Sequence, residues 1–293
     1  MASAIPAVTI GVPVYNSEKY LAETLQSILA QTFTDFELVI SDNASTDATE
    51  GLCNDCARSD SRVRYVRQPR NIGAPRNYNA LVALARGRYL KWSSSNDIIQ
   101  PQFLAACVPI LETRADVVLV YPRTRYFDAA SGSVRDHADN FDLQDDDAVE
   151  RYKKCDQRLI TNNIMNGLIR LRALRASTLH GDYPSSDIAL MSELALYGKF
   201  VEVAQPLFYR RSEADARYGA GTASRHKLYY PDDKFGSSRR DWQRMRQMVR
   251  GVTAAPVTLS QRARLYDYLA RRAWWRRRHL LSFFYGTGGR DPT

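Results

Sequence analysis

The sequence predicts an α/β chain: a Rossmann-like, mostly parallel sheet with flanking helices, followed by a helical C-terminal extension. Short apolar runs recur at residues 8–12, 36–40, 63–66, 89–92 and 117–121, each of a length suited to a buried strand. Helical patterns fill the intervals, and strand–helix alternation of this kind builds a parallel sheet through crossover connections. The polar segments after the runs are PVYNSE, SDNASTD, QPRNIGAPRN and SSSND. They fall at the sheet's carboxyl edge, where open α/β sheets bind ligands.

Taken in order, Asn16 and Ser17 can cap a first helix, with Glu18 near the positive end of its dipole. Leu21, Leu25 and Ile28 then repeat at helical spacing. Asp47 and Glu50 have the offset of a capping box. A helix is expected over 74–86, stopped at Gly87, and another from Pro101, a residue suited to a first turn. Beyond Tyr121 the pattern loosens. Residues 136–154 read as a mobile polar loop with a short helix. Residues 173–179 read as a helix, as does the run holding Ile188, Leu190, Met191, Leu194 and Leu196. Runs 200–203 and 206–209 look strand-like, 212–240 reads as loop, and helices from Asp241 and Leu259 finish the chain.

Composition excludes several classes. At 293 residues, 44% hydrophobic and 25% charged, the chain suits one large globular domain with additions. No apolar run approaches the ~20 residues of a membrane span, and the N-terminus lacks the pattern of a signal peptide. Cys53 and Cys56 form a lone CxxC with no second pair to complete a metal site, and with Cys107 and Cys155 they make no secreted disulfide framework. A cytoplasmic location is expected. The net charge of +9 gathers its excess late, around Arg271, Arg272, Arg276, Arg277 and Arg278. Such a block suits anionic lipid, nucleic acid or a charged glycan. No nucleic-acid recognition module accompanies it, so no nucleic-acid partner is expected.

Two stretches carry a specific pattern: VTIGVPVYNSEKYLAETLQSILAQTFTDFELVISDNASTDAT and RQPRNIGAPRNYNALVALARGRYLKWSSSNDIIQP. Together they resemble the family-2 glycosyltransferases, which have the GT-A fold. The resemblance is good over 8–119 and weak to about 209. It implies a nucleotide-sugar-binding half over 1–122 and an acceptor-binding half over 123–211; the residues beyond, 212–293, read by themselves as a loop with basic, aromatic-rich C-terminal helices. It further implies that Pro13 and Tyr15 flank the base of a UDP, dTDP or GDP donor. Asp42 and Asn43 would accept from the base, Arg76 would add positive charge, Ser95 and Asn96 would join the nucleotide-sugar site, and Asn96 with Asp97 would face the diphosphate.

The acidic metal motif of that family is altered here. Counting back from Pro101, Ser94 and Asn96 stand where two Asp are usual, and Asp97 takes a trailing acidic position. A hard Mg or Mn cation prefers carboxylate oxygens. Three readings stay open: a weakened metal site on Asn96 and Asp97, metal-independent transfer, and loss of catalysis. The late-strand segment carries Arg210 and Arg211 and no His, so arginines could balance the leaving diphosphate. Asp187, in PSSDIALMSELAL, takes the position of the family's base for inverting transfer, with Glu193 a distant substitute. Asp187 can also be read as a helix cap.

The expected function is inverting transfer of a sugar to a hydroxyl of a glycan, lipid-linked sugar or metabolite. A catalytically silent nucleotide-sugar-binding partner protein is the rival. A nucleotidyltransferase would need a Gly-rich, Lys-bearing phosphate loop, and PVYNSEKY is a poor one. The tail LARRAWWRRRHLLSFFY either lies at the inner face of a membrane or packs its aromatic side on the core.

Overall fold

The computed structural model describes residues 5–128, 131–137, 141–212, 229–231 and 237–275. Strands β1 (Val8–Val14), β2 (Phe36–Asp42), β3 (Val63–Arg67) and β4 (Tyr89–Trp92) are parallel neighbours in the order β3-β2-β1-β4. Their connections are α1 (Leu21–Leu29), α2 (Thr49–Ser59) and α3 (Ala74–Leu84). After β4 come the two-residue β5 (Ile98–Ile99), α4 (Phe103–Thr113), β6 (Val117–Phe127) and β7 (Val134–His137). Then follow α5 (Ala148–Arg158), β8 (Leu168–Arg170), α6 (Leu171–Ala176), α7 (Ser186–Leu194) and the long β9 (Lys199–Arg211). Two helices close the described chain, α8 (Ser237–Ala254) and α9 (Leu259–Trp275).

The sheet continues β4-β8-β6-β9-β5, with β7 hairpinned onto β6. Strand β8 runs antiparallel to both β4 and β6, while β6 and β9 are parallel. The mostly parallel sheet therefore carries one inverted strand near its middle. LIR is too short for a periodic signal, so the sequence does not reveal it.

Burial follows the two-sided sheet. Strand β2 is buried at all seven positions. One face packs on Leu21, Leu25 and Ile28 of α1, Cys53 of α2 and Phe103, Leu104 and Cys107 of α4. The other packs on Leu81 and Val82 of α3 and Leu190, Met191 and Leu194 of α7. A third core joins Val149 and Tyr152 of α5 to Met248 and Val252 of α8 and Leu265 and Leu269 of α9. Asp156 fixes this helical layer. Its fully buried carboxylate accepts from the Tyr268 hydroxyl at 2.7 Å and pairs with Arg244 at 3.3 Å and with Arg272. Removing one member of such a buried cluster typically costs about 3–5 kcal/mol. The body of α9 thus packs on the core. Trp274 and Trp275 at its end are exposed, and Arg276, Arg277, Arg278 and the aromatic residues beyond lie outside the described residues.

Several local expectations are corrected. Neither Asn16 nor Ser17 caps α1. Its N-cap is Tyr20, and the Ser17 hydroxyl lies 2.9 Å from that of Ser95. Asp47 receives Thr49 N–H and Glu18 N–H, while the reciprocal carboxylate on Ala48 N–H belongs to Glu18; Glu50 turns to Arg67. The polar stretch 136–154 includes the end of β7 and most of α5's first two turns, capped by Asp147 on Val149 N–H. The 173–179 helix is α6, ending at Ala176. The two late runs form one strand, β9, paired to β6 through register shifts. The third helix stops at Leu84 rather than Arg86.

Gly87 has a packing role, not a capping one. A Cβ there would lie 2.6 Å from Thr9 N and 2.7 Å from Val8 C, both backbone atoms of β1. Gly87→Ala is expected to destabilise the chain by about 2 kcal/mol or more through overpacking. Gly51→Ala in α2, where nothing lies within 4 Å, should add about 0.5 kcal/mol through helix propensity. Urea unfolding of both variants checks the contrast; equal effects would refute the backbone collision.

Candidate active site at the carboxyl edge

The loops after β1 and β2 are zipped together. Asn16 Oδ1 accepts from Thr46 N–H at 2.8 Å, Asn16 N–H donates to Ser45 Oγ at 3.0 Å, and Ser17 N–H donates to Thr49 Oγ1 at 2.7 Å. Asp42, at the last position of β2, is wholly buried. One oxygen accepts from Ser45 N–H and Oγ–H; the other accepts from Tyr65 OH and Arg67, both at 2.7 Å. Asn43 donates to Asn71 and accepts from Ile72 N–H, each at 2.8 Å, tying in the QPRNIG loop. The resemblance assigns Asp42 and Asn43 to a base; the structure shows both committed to holding the loops around Pro13 and Tyr15, which are half-buried. Arg76, in the first turn of α3, pairs with Asp182 just before α7.

Left-handed backbone concentrates here. Asn16, Ala44, Leu179 and Ser185 have φ between 48° and 62°. Asn16 and Ala44 lie in the zipped loops, and Leu179 and Ser185 flank the approach to α7. Each costs roughly 1–2 kcal/mol for a residue with a Cβ, and strain of this kind gathers where geometry serves function.

In the SSSND loop after β4, Ser94 lies near Tyr78 and Asp97 and is half-buried. Ser95 meets Ser17, and Asn96 is half-buried. Asp97 is turned inward. Its Oδ1 accepts Arg211 N–H at 3.0 Å, and burial raises its pKa against the pull of that N–H and of nearby Arg210. Arg211 is itself buried, donating to Asn96 O at 3.0 Å, pairing with Glu23 at 2.6 Å and stacking on Tyr20 and Phe127. A divalent cation fits this donor set poorly. The single carboxylate is buried and bonded to a backbone N–H, and its neighbours offer a hydroxyl and an amide. Among the described residues no group of three His, Cys, Asp or Glu could hold a metal ion.

Behind the loop lies Lys91, fully buried, its Nζ 3.0 Å from Trp92 O and 4.6 Å from the Phe103 ring centroid. Burial pushes its pKa down to about 7, opposed by Asp97. Sequence reasoning misses this lysine, although a Lys inside the otherwise apolar YLKW is an available signal.

Asp187 sits in the first turn of α7. It is not the cap, a position held by Ser185, and its Oδ2 accepts from Asn162 Nδ2 at 2.9 Å. The next residue, Asn163, accepts from Arg210 at 2.6 Å. One turn therefore holds a carboxylate and a guanidinium on successive residues. Glu193 lies at the other end of α7, buried and bonded to Thr178 N–H at 2.9 Å, with burial raising its pKa to about 7. This removes it as a substitute for Asp187. His180, also missed from sequence, packs between Tyr78 and Trp92 with ring centroids 5.4 and 5.2 Å away. Its backbone is pinned by Asn79 at both N–H and C=O. Its Nε2 has no hydrogen-bond partner among the described residues.

The sheet's strand order, with its polar carboxyl edge, is that of the GT-A fold. Residues 1–349 of S. aureus TarS, crystallised with UDP-GlcNAc, share the fold at a TM-score of 0.67 and 17% identity, covering 92% of this chain and 72% of that one. The mannosyltransferase PcManGT from Pyrobaculum calidifontis, solved with GDP-Man and Mn2+, gives 0.54 and 16%, covering 99% and 78%. The chain belongs to glycosyl transferase family 2, whose model matches residues 9–175. Glycosyltransferase GlyG of Streptococcus pneumoniae serotype 4 is 33% identical over 113 residues, 38% of each chain. Chondroitin synthase of Escherichia coli is 33% identical over 124 residues, 42% of this chain and 18% of that protein. The chain therefore spans less than half the length of these curated relatives.

Burial pushes the His180 pKa down to about 4 from 6.5, although the charge of Asp187 opposes the shift. Between those values the unfolded chain takes up a proton that the folded one refuses, so His180 removes stability as pH falls from 6.5 to 4. Glu193 acts in the opposite sense, because its raised pKa makes the fold gain a proton below about 7. His180→Gln should show a smaller loss of Tm than the parent between about pH 7 and about pH 5. Parallel pH profiles would refute a neutral buried imidazole.

Proposed function

We propose that the chain is an inverting glycosyltransferase that moves a sugar from a nucleoside-diphosphate donor to a hydroxyl acceptor with weak or no need for a divalent cation. The observation that carries this reading is the 162–163 turn, whose successive asparagines hydrogen-bond to Asp187 and to Arg210. Asp187, oriented by Asn162, would take the proton of the acceptor hydroxyl as its oxygen attacks the anomeric carbon. The bond from that carbon to the diphosphate breaks, and the nucleoside diphosphate leaves. Arg210 would balance the charge of the leaving group. Arg211, expected from sequence to share that task, instead serves the loop that carries Asn96. Pro13 and Tyr15 would flank the base, with Asp42 and Asn43 fixing the loops in which it is read. Asn96 and Ser95 would face the diphosphate, and Arg76 would steady the approach to α7. The UDP-GlcNAc and GDP-Man held by the GT-A neighbours support a nucleotide-sugar donor.

No helix among the described residues is long and apolar enough to cross a membrane. The proposal places the chain in the cytoplasm and the acceptor among glycans, lipid-linked sugars or metabolites.

Asp187→Asn should keep nucleotide binding and lower transfer by about 10²–10⁴-fold, the usual contribution of a general base. Near-normal transfer would remove Asp187 from the mechanism. Transfer should also survive EDTA, with added Mn²⁺ changing the rate less than about twofold, as expected where protein cations balance the leaving group. A large loss restored by Mn²⁺ would overturn the metal-independent reading. The altered SSSND motif favours one second reading, a silent nucleotide-sugar binder. Tight nucleotide binding without turnover of any UDP-, dTDP- or GDP-sugar would establish it.

A further inference from the structure

We propose that the cavity beside the β6–β7 hairpin binds an anionic group, a phosphate or carboxylate, carried by the acceptor. The inference rests on the transferase reading above and names the acceptor's chemical class. The cavity has a volume of about 680 Å³, and Tyr126, Asp128, Arg135, His137, Thr161 and Arg210 are among the residues that line it. That volume is in the range of small-ligand sites.

Its electrostatics are unusual for this surface. The Tyr126 ring lies under two guanidiniums, Arg135 at 5.5 Å and Arg210 at 5.9 Å, with the His137 ring edge-on at 5.2 Å. Nearby Arg123 and Arg125 are neutralised by ion pairs, with Glu202 at 2.8 Å and Asp136 at 2.5 Å. Arg135 and Arg210 have no carboxylate partner within salt-bridge distance among the described residues. The cavity's own carboxylate, Asp128, accepts from Ser131 N–H at 3.2 Å. Two like charges gathered on one aromatic ring repel each other, and an oxyanion bound at Arg135, the exposed one of the two, relieves that repulsion. Guanidinium groups suit this task because their fixed fork of donors matches phosphate and carboxylate oxygens.

The cavity also adjoins the candidate base. Thr161 lines it, Asn162 holds Asp187 and Asn163 holds Arg210. Arg210 is half-buried and Arg135 exposed, so the first serves the leaving diphosphate and the second is left for the acceptor. An anion on Arg135 anchors the acceptor chain next to the turn that orients Asp187.

The test is calorimetric titration of the full chain, saturated with UDP, with three probes. Trigalacturonate carries carboxylates, a glycerol-phosphate trimer carries phosphates, and maltotriose is neutral. At least one anionic probe should bind roughly ten-fold or more tightly than maltotriose, the scale of a charge-assisted contact, and which one does so tells carboxylate from phosphate. Arg135→Gln should weaken that binding at least about five-fold. Arg88→Gln, whose guanidinium pairs with Glu112 elsewhere on the surface, should leave it unchanged. Equal affinity for maltotriose, an unaffected Arg135→Gln variant, or competition between UDP and the anionic probe would each overturn the proposal. If the parent chain binds no nucleotide, the transferase reading fails instead, and the same titrations without UDP still decide whether the cavity selects anions.

Discussion

Asp97 and Arg211 form the contact on which the site's shape depends. The carboxylate accepts the backbone N–H of the last residue of β9, and that residue's side chain reaches back to Asn96 O and on to Glu23 of α1. Three elements distant in sequence are closed around one buried loop. Because Asp97 faces the interior, the loop's outer surface is left to Ser94, Ser95 and Asn96. Removing the carboxylate would leave the Arg211 N–H buried without its acceptor, and such orphaned groups cost about 1–3 kcal/mol.

A second layer of constraint joins the loops after β1 and β2. Hydrogen bonds run both ways between residues 16–18 and 45–49, and Asp42 gathers Ser45, Tyr65 and Arg67 beneath them. The left-handed residues Asn16 and Ala44 are held in place by this network rather than by their own preferences. The strain is sustained because many bonds over-determine the geometry. The two halves of the edge meet where the Ser17 and Ser95 hydroxyls touch.

Much of this is legible in the residues, and the exceptions have physical causes. Strands β1, β2, β4 and the first half of β6 announce themselves because burial on both faces favours largely apolar runs; β3, VRYVR at the sheet edge, shows itself through its β-branched and aromatic residues. Strand β8 does not, since three residues carry no period. Asn16 and Ser17 look like caps but are not, because their polar groups are drawn to a neighbouring loop, a tertiary bond that no local pattern reveals. Asp187 stands out only through the family resemblance, since its place before an apolar helical run by itself suggests a cap. Asn162 and His180 do not stand out, because each acquires its significance from a partner far away in sequence or from the burial around it; Lys91 carries a signal, a charge inside the apolar YLKW, but its role depends on the burial around it. Arg211 shows the same limit: a charge at a strand end looks free until its acceptors are known.

The neutral Ser94 and Asn96 of SSSND and the inward turn of Asp97 act together on the charge balance. A dication in such a fold has two tasks, to neutralise the loop's own carboxylates and to neutralise the donor's diphosphate. Here the first task is absent, since Ser94 and Asn96 are neutral and Asp97 lies against Arg211 N–H with Lys91 and Arg210 nearby. A neutral loop offers a cation little attraction, and it also offers a diphosphate little repulsion. On the proposed reading Arg210 is then sufficient company for the leaving group, because its charge acts in a half-buried site where screening by water is weak. Restoring one acid, as in Asn96→Asp, would add repulsion before it added a complete metal site. This is why the substitutions in the loop make sense as a set.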